Sequence, residues 1–272
     1  MTSSRIQTCV LSLLALLLAS CTVEPITNRR QLSLVSADEL TALSYKEYGE
    51  FIRSHPLSRD TANTETVRRV GRRIQVAVEA YFAEQGQSSR LSGYTWEFNL
   101  VESKEVNAWC MPGGKVVVYT GILPITRDEA GLAVVLAHEI AHAVANHTAE
   151  RMSQAMLANY GLTALGELLA QKPKETRDLF LKVAGLGAQV GALLPYERTQ
   201  ENSADRLGLV FMAMAGYDPN AALDFWQRMA AQGTGDATPE LLRTHPSDKT
   251  RIANIRKLIQ AEANRYYKPP PR

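Results

Sequence analysis

His138-Glu139-Ile140-Ala141-His142 sits inside an apolar stretch, residues 131–144. On an α-helix, histidines at i and i+4 lie about 40° apart on one face and one turn apart, so both imidazoles can reach a single Zn²⁺. Glu139 projects beside the pair without being needed as a ligand, which suits it to take a proton from water in hydrolysing an amide. Further along, Glu201-Asn202-Ser203-Ala204-Asp205 opens another apolar-periodic segment and sets two carboxylates on one helical face. A catalytic zinc with two histidines needs a third protein ligand and an open position, and a glutamate from a neighbouring helix is one solution. Asp205, one turn on, is placed to accept the second N–H of a ligating imidazole and fix its tautomer. Alone, the two acidic residues would read as the solvated edge of an amphipathic helix; the histidine pair gives them something to do.

A third histidine ligand does not follow from the spacing. The pattern H-E-x-x-H-x-x-G-x-x-H would require glycine and histidine where this chain has Ala145 and Thr148. His147, at i+5 from His142, lies about 140° round a continuous helix and is expected to point away from the metal, in a structural place or on the rim.

Together, Asn107-Ala108-Trp109-Cys110-Met111-Pro112-Gly113-Gly114, the 138–142 motif, the 201–205 motif and Thr244-His245-Pro246 resemble the zinc metallopeptidases related to the CAAX prenyl protease, HtpX and the periplasmic proteins BepA and LoiP. The resemblance runs from about Asp60 to about Lys257. It implies one Zn²⁺ per chain held by His138, His142 and Glu201, with Glu139 as the base and Asp205 orienting a ligand. It also implies that His245 either steadies the oxyanion or occludes the metal. Trp109-Cys110-Met111-Pro112 departs from the family's frequent Phe-Ala-Leu-Pro at the pocket lining.

The N-terminus has Arg5 followed by an apolar run, residues 10–19, too short to span a membrane and of the right kind for a secretory signal. Leu18-Ala19-Ser20-Cys21 resembles a bacterial lipobox, with Cys21 as the lipidated first residue of the mature chain; Thr22 in place of aspartate is similar to the cue for outer-membrane sorting. Residues 1–20 are thus expected as a signal, 21–35 as a tether to the lipid, 36–264 as the peptidase domain and 265–272 as a disordered tail.

Loss of residues 1–20 from the 272 would remove Arg5 alone among 30 Lys+Arg and 28 Asp+Glu, so the mature chain is nearly neutral and has no nucleic-acid surface. Of the three cysteines, Cys9 leaves with the signal and Cys21 is acylated. Cys110 is left without a disulfide partner and reads as an apolar strand residue, not a nucleophile.

Ser36-Ala37-Asp38-Glu39 has capping-box spacing and begins a helix over 36–53, and a second over 63–85 carries Val67, Val70, Ile74, Val78 and Tyr81 on one face. Residues 96–101, 106–111 and 116–119 read as strands of a small antiparallel sheet, the last two joined at Pro112-Gly113-Gly114. Thr126-Arg127-Asp128-Glu129 has the spacing of another capping box, ahead of the metal-motif helix. Segments 161–170 and 179–194 are weakly polar, but Glu167, Lys182 and the flanking prolines argue for buried helices or a lid rather than a span. Residues 232–238 form a loop before His245, and Ser247 starts the last helix.

The expected fold is α+β and zincin-like, mostly helical, with the sheet beside the active-site helix. In this class an extended substrate adds to the sheet edge, and Asn107, Ala108, Gly113 and Gly114 are the candidate edge residues. The expected function is a zinc metalloendopeptidase, lipid-anchored on the periplasmic face of the outer membrane, that degrades misfolded or stalled envelope proteins. The alternative is an outer-membrane assembly factor or chaperone that keeps its zinc with little proteolysis; the intact Glu139 weighs against it, since a closed structural zinc has no use for a base.

Overall fold

The structure is a computed structural model that describes residues 21–24, 27–160, 173–183, 195–233, 238–246 and 249–268. The expected signal, all of segment 161–170, residues 184–194 of segment 179–194, most of the 232–238 loop, Ser247 and the end of the tail lie outside them. Among the described residues no helix is long and apolar enough to cross a membrane.

The described chain opens on two short antiparallel strands, β1 (Cys21–Val23) and β2 (Arg30–Leu32). The described residues of 21–35 are thus docked on the domain and do not run as a free tether. Glu24 and Gln31 are buried, and Gln31 Nε2 donates to the Ala145 carbonyl at 3.0 Å. Isolated polar contacts hold the segment down, and such contacts leave no hydrophobic period to read.

Helix α1 (Ala37–Ser54) starts at the expected capping box, Ser36 accepting from the Glu39 N–H and the Glu39 carboxylate accepting from the Ser36 N–H. Helix α2 (Thr61–Glu84) is capped by Asp60 and buries Val67, Val70, Ile74, Val78 and Tyr81.

Three strands follow, β3 (Glu97–Val101), β4 (Ala108–Met111) and β5 (Lys115–Tyr119). Their spatial order is β3-β5-β4, with β5 antiparallel to β4 and parallel to β3, so the sheet is mixed where a purely antiparallel one was expected. The reason lies in β5: Val116, Val117 and Val118 are all fully buried, and a strand apolar on both faces belongs in the centre. The alternation then divides two cores. Phe98, Leu100, Ala108, Val116 and Val118 face α2 and the metal-motif helix, while Val101, Trp109, Met111, Val117 and Tyr119 face α1. The β4–β5 turn uses Gly113 and Gly114 at φ +85° and +81°, where a Cβ would also strike the rings of Tyr45 and Trp96.

Helix α3 (Glu129–Val144) carries the histidine motif and is buried from Gly131 to Val144, an apolar helix on all sides. Its cap is Asp128, whose Oδ1 accepts from the Gly131 N–H at 2.8 Å. The box expected at Thr126 is out of register, because the Thr126 hydroxyl turns back to the Leu123 carbonyl within the preceding helical turn. After α3 the chain reverses at Asn146, φ +59°, into α4 (His147–Tyr160). Asparagine is among the few residues that accept this left-handed backbone.

Helices α5 (Pro173–Val183), α6 (Pro195–Met214), α7 (Ala221–Gln232), α8 (Glu240–Thr244) and α9 (Lys249–Ala261) follow, the last succeeded by a short 3-10 turn (Ala263–Arg265). Both α5 and α6 begin on a proline, which the first helical turn tolerates. Helix α6 packs along α3, and Gly208 permits the approach: a Cβ there would sit 3.1 Å from the His138 amide nitrogen. Beyond α9, Tyr266 still packs against the main core, so the ordered chain continues past the expected boundary at residue 265.

Candidate metal centre

Helix α3 presents His138 and His142 from consecutive turns, α6 presents Glu201, and the residue that ends α8 is His245. Their donor atoms all lie within 4.8 Å of one another. His138 Nε2 is 3.1 Å from His142 Nε2 and 3.2 Å from His245 Nδ1. Glu201 Oε1 is 3.1 Å from His142 Nε2 and 2.8 Å from His245 Nδ1, and Glu201 Oε2 is 3.3 Å from His138 Nε2. A tetrahedral ion with ligands at about 2.0–2.1 Å separates its donors by about 3.3 Å, so these distances are the edges of such a polyhedron. Three imidazole nitrogens converging on one carboxylate is a donor set that a small divalent cation fits.

The protonation of the cluster is divided between its two α3 histidines. Burial drives the His142 imidazole well below its ordinary pKa, the neutral state a ligand needs. Burial opposes charge on His138 too, but hydrogen bonds to Asp205 and Glu201 outweigh it and push the value up to about 9. Burial likewise raises Glu201, yet the neighbouring His245, His142 and Arg251 hold its carboxyl well below the usual range. A metal arriving here would displace the His138 proton.

Asp205, one turn along α6 from Glu201, has Oδ1 3.1 Å from His138 Nδ1, the side of the ring turned away from the cluster. Glu139 is buried, and its Oε1 has no hydrogen-bond partner and lies 3.5 Å from His245 Nε2. An unsatisfied buried carboxylate oxygen next to the cluster is the arrangement a proton acceptor requires.

Two residues about the cluster were not anticipated in these roles. Arg251, on α9, grips Asp205 with two hydrogen bonds, Nη2 to Oδ1 at 2.7 Å and Nε to Oδ2 at 2.9 Å. Its Nη1 reaches Glu201 Oε2 at 3.3 Å and the carbonyls of His245 and Pro246 at 3.2 Å, and the guanidinium lies 3.5 Å over the Trp226 ring. The sequence carried a signal: Arg251, Ile255 and Ile259 form one buried i, i+4, i+8 stripe, so a charge stands on the apolar face of the helix. The other is His147, which takes the structural place of the two expected and not the rim. It is fully buried, with Nδ1 2.8 Å from His142 Nδ1. The helical wheel failed because the helix does not continue through residue 146.

Strand β4 is the outer strand of the sheet and packs against α3. The Tyr119 N–H donates to the Asn107 carbonyl, which makes 107/119 a hydrogen-bonded pair; by antiparallel alternation the peptide groups of Ala108 and Cys110 face away from β5. The Asn107 side chain covers part of this edge, its Oδ1 accepting the Ala108 N–H at 2.9 Å. Gly113 and Gly114 do not belong to that edge: their carbonyls accept from the N–H groups of Thr95 and Glu97, on the β3 side. Cys110 stays a thiol, burial and then the Glu139 carboxylate pushing its pKa well above the ordinary value.

A mostly helical chain with a small sheet beside a helix bearing His-Glu-x-x-His, completed by carboxylates from a second helix, defines a zincin-like metallopeptidase. The chain belongs to peptidase family M48, whose profile matches residues 69–259. It is 36% identical over 246 residues to the mitochondrial metalloendopeptidase OMA1 of Schizosaccharomyces pombe, covering 89% of this chain and 67% of that protein. To the metalloendopeptidase OMA1 of Homo sapiens it is 31% identical over 245 residues, 87% of this chain and 45% of that protein. To the beta-barrel assembly-enhancing protease of Escherichia coli O157:H7 it is 30% identical over 165 residues, 59% and 34% of the respective chains. The chain thus spans between a third and two thirds of the length of these relatives.

Proposed function

We propose that this chain is a zinc-dependent endopeptidase whose site residues are His138, His142 and Glu201 as ligands, Glu139 as general base, Asp205 as the orienting partner of His138, and Asn107 and Ala108 as part of the substrate-binding edge. The convergence of two α3 histidines and Glu201 at tetrahedral spacing carries the reading. Zinc held there supplies Lewis acidity toward the scissile carbonyl and lowers the pKa of a water into the neutral range. Glu139 takes the proton from that water on Oε1 and returns it to the leaving amine nitrogen. Asp205 keeps His138 in the tautomer whose Nε2 lone pair faces the cluster, and Arg251 keeps Asp205 in place. An extended peptide pairs with the outward peptide groups of β4 once the Asn107 carboxamide yields the Ala108 N–H. The test is digestion of an unfolded protein such as casein: the purified chain cleaves it, a chelator stops cleavage, and added zinc restores it. Cleavage that persists at full rate in chelator would sink the metal-dependent reading.

His245 in this geometry fills the fourth corner of the donor set, which supports occlusion over oxyanion support in the resting state. It ends a five-residue helix, and its swing would open the corner to water. His245→Ala is then expected to raise basal casein cleavage severalfold with zinc content unchanged; a fall on the order of a hundredfold would restore the oxyanion role.

The substrates we propose are misfolded envelope proteins, with lipid anchoring through Cys21 at the periplasmic face of the outer membrane. The lipobox-like Leu18-Ala19-Ser20-Cys21 supports the anchor, and the relatives named beta-barrel assembly-enhancing proteases support an envelope setting and contact with outer-membrane assembly. A Cys21→Ala chain is expected to leave the outer-membrane fraction; unchanged fractionation after a high-salt wash would count against the anchor.

A further inference from the structure

The N-terminal hairpin is wired to the cluster at two places. At the first, His147 Nδ1 lies 2.8 Å from His142 Nδ1, and His147 Nε2 lies 3.2 Å from Glu24 Oε1. Only one proton arrangement makes this chain work with His142 as a ligand. The Nε2 of His142 faces the cluster and must offer a lone pair, so its proton sits on Nδ1 and is donated to His147 Nδ1. His147 must then carry its own proton on Nε2, and Glu24 is the acceptor that holds it there. Glu24 and His147 are both fully buried, and Glu24 Oε2 is itself held by the Thr27 hydroxyl and by Arg29 Nε. At the second place, Arg29 forks onto Glu150 at 2.5 and 2.7 Å, and Glu150 Oε2 accepts from Gln200 Nε2 at 2.7 Å, one residue before Glu201.

We propose that Glu24 and His147 are positioning residues for His142, so that Glu24, next to strand β1, is a working part of the metal centre. The proposal rests on His142 being a zinc ligand. A ligating imidazole needs its far N–H fixed by an acceptor, and His138 has Asp205 for this within the metal-motif helices. His142 obtains the same service from His147, whose tautomer is set by a carboxylate far away in sequence. The left-handed turn at Asn146 is what brings His147 back onto His142.

The experiment measures zinc affinity of the full chain by competition with a chromophoric chelator, and the visible absorption of the cobalt-substituted protein. Glu24→Ala is expected to weaken zinc binding about 10–100-fold and to shift the cobalt bands, since ring orientation and ligand basicity both change. Glu24→Gln keeps an amide oxygen to accept from His147 Nε2 but turns its NH2 onto Arg29 Nε, so it should bind zinc more tightly than Glu24→Ala and less tightly than wild type. Gln31→Ala is the control: it loosens the hairpin from Ala145 without touching the relay and should bind zinc as wild type does. Wild-type affinity in Glu24→Ala would overturn the proposal, as would equal losses in Glu24→Ala and Gln31→Ala, which would mean that docking alone matters. Should Glu24→Ala fail to fold, His147→Leu with the same two readouts decides the point from within α4. A wild-type chain that binds no zinc takes down the parent reading, whereas intact binding unaffected by these substitutions overturns the relay alone.

Discussion

Glu139→Gln is expected to bind one zinc, unfold at the wild-type temperature and cleave protein about 10²–10⁴-fold more slowly. The amide matches the carboxylate in shape, so packing around this buried side chain is undisturbed. Its oxygen can still accept a hydrogen bond from water, but it cannot keep the proton, and an attacking hydroxide is no longer generated. Among the described residues Glu139 Oε1 makes no hydrogen bond, so the substitution removes none at that atom. Turnover and metal content measured on the same preparation separate the outcomes. Turnover near wild type would mean that another group activates water; loss of zinc would mean that Glu139 supports the ligands instead of acting on the water.

Arg251→Leu should be the most destabilising single change near the site. It leaves Asp205 and Glu201 buried in a low-dielectric region without the cation between them, and breaking a buried pair from one side costs about 3–5 kcal/mol. The stacking on Trp226 goes with it. For a domain of this size that corresponds to a fall in Tm of about 6–20 °C, read by calorimetry on metal-free protein. Lysine should not rescue, since one ammonium cannot reproduce the two-point grip on Asp205. Zinc should narrow the deficit by supplying positive charge to the same carboxylates. A loss below about 1 kcal/mol would place Arg251 with the ordinary surface ion pairs.

The parts of the fold written in side-chain period were legible in advance. Val67, Val70, Ile74, Val78 and Tyr81 lie on one buried face, and His138, His142, Glu201 and Asp205 meet because spacings of four residues survive any helix. What could not be read was set by single non-periodic events. The reversal at Asn146 sends His147 back to His142, and nothing in a helical wheel encodes a turn of that kind. The parallel pairing of β3 with β5 depends on which strand needs cover on both faces, a competition among three segments and not a property of one. Glu24, Gln31 and Arg29 dock through polar contacts distant in sequence, so their segment looks like a linker. Arg251 was readable in principle, as a charge on the stripe that continues through Ile255 and Ile259.

The charges gathered around the cluster have a consequence for electroneutrality. Among the described residues, Glu201 and Asp205 lie against the Arg251 guanidinium and Glu139 lies beside His245. A divalent cation bound here would offset carboxylate charge that the guanidinium leaves over. The raised pKa of His138 is the same imbalance met by a proton instead of a metal. On the proposed mechanism, moving a proton from water to Glu139 and on to an amine would shift charge within this enclosure and would not add to it.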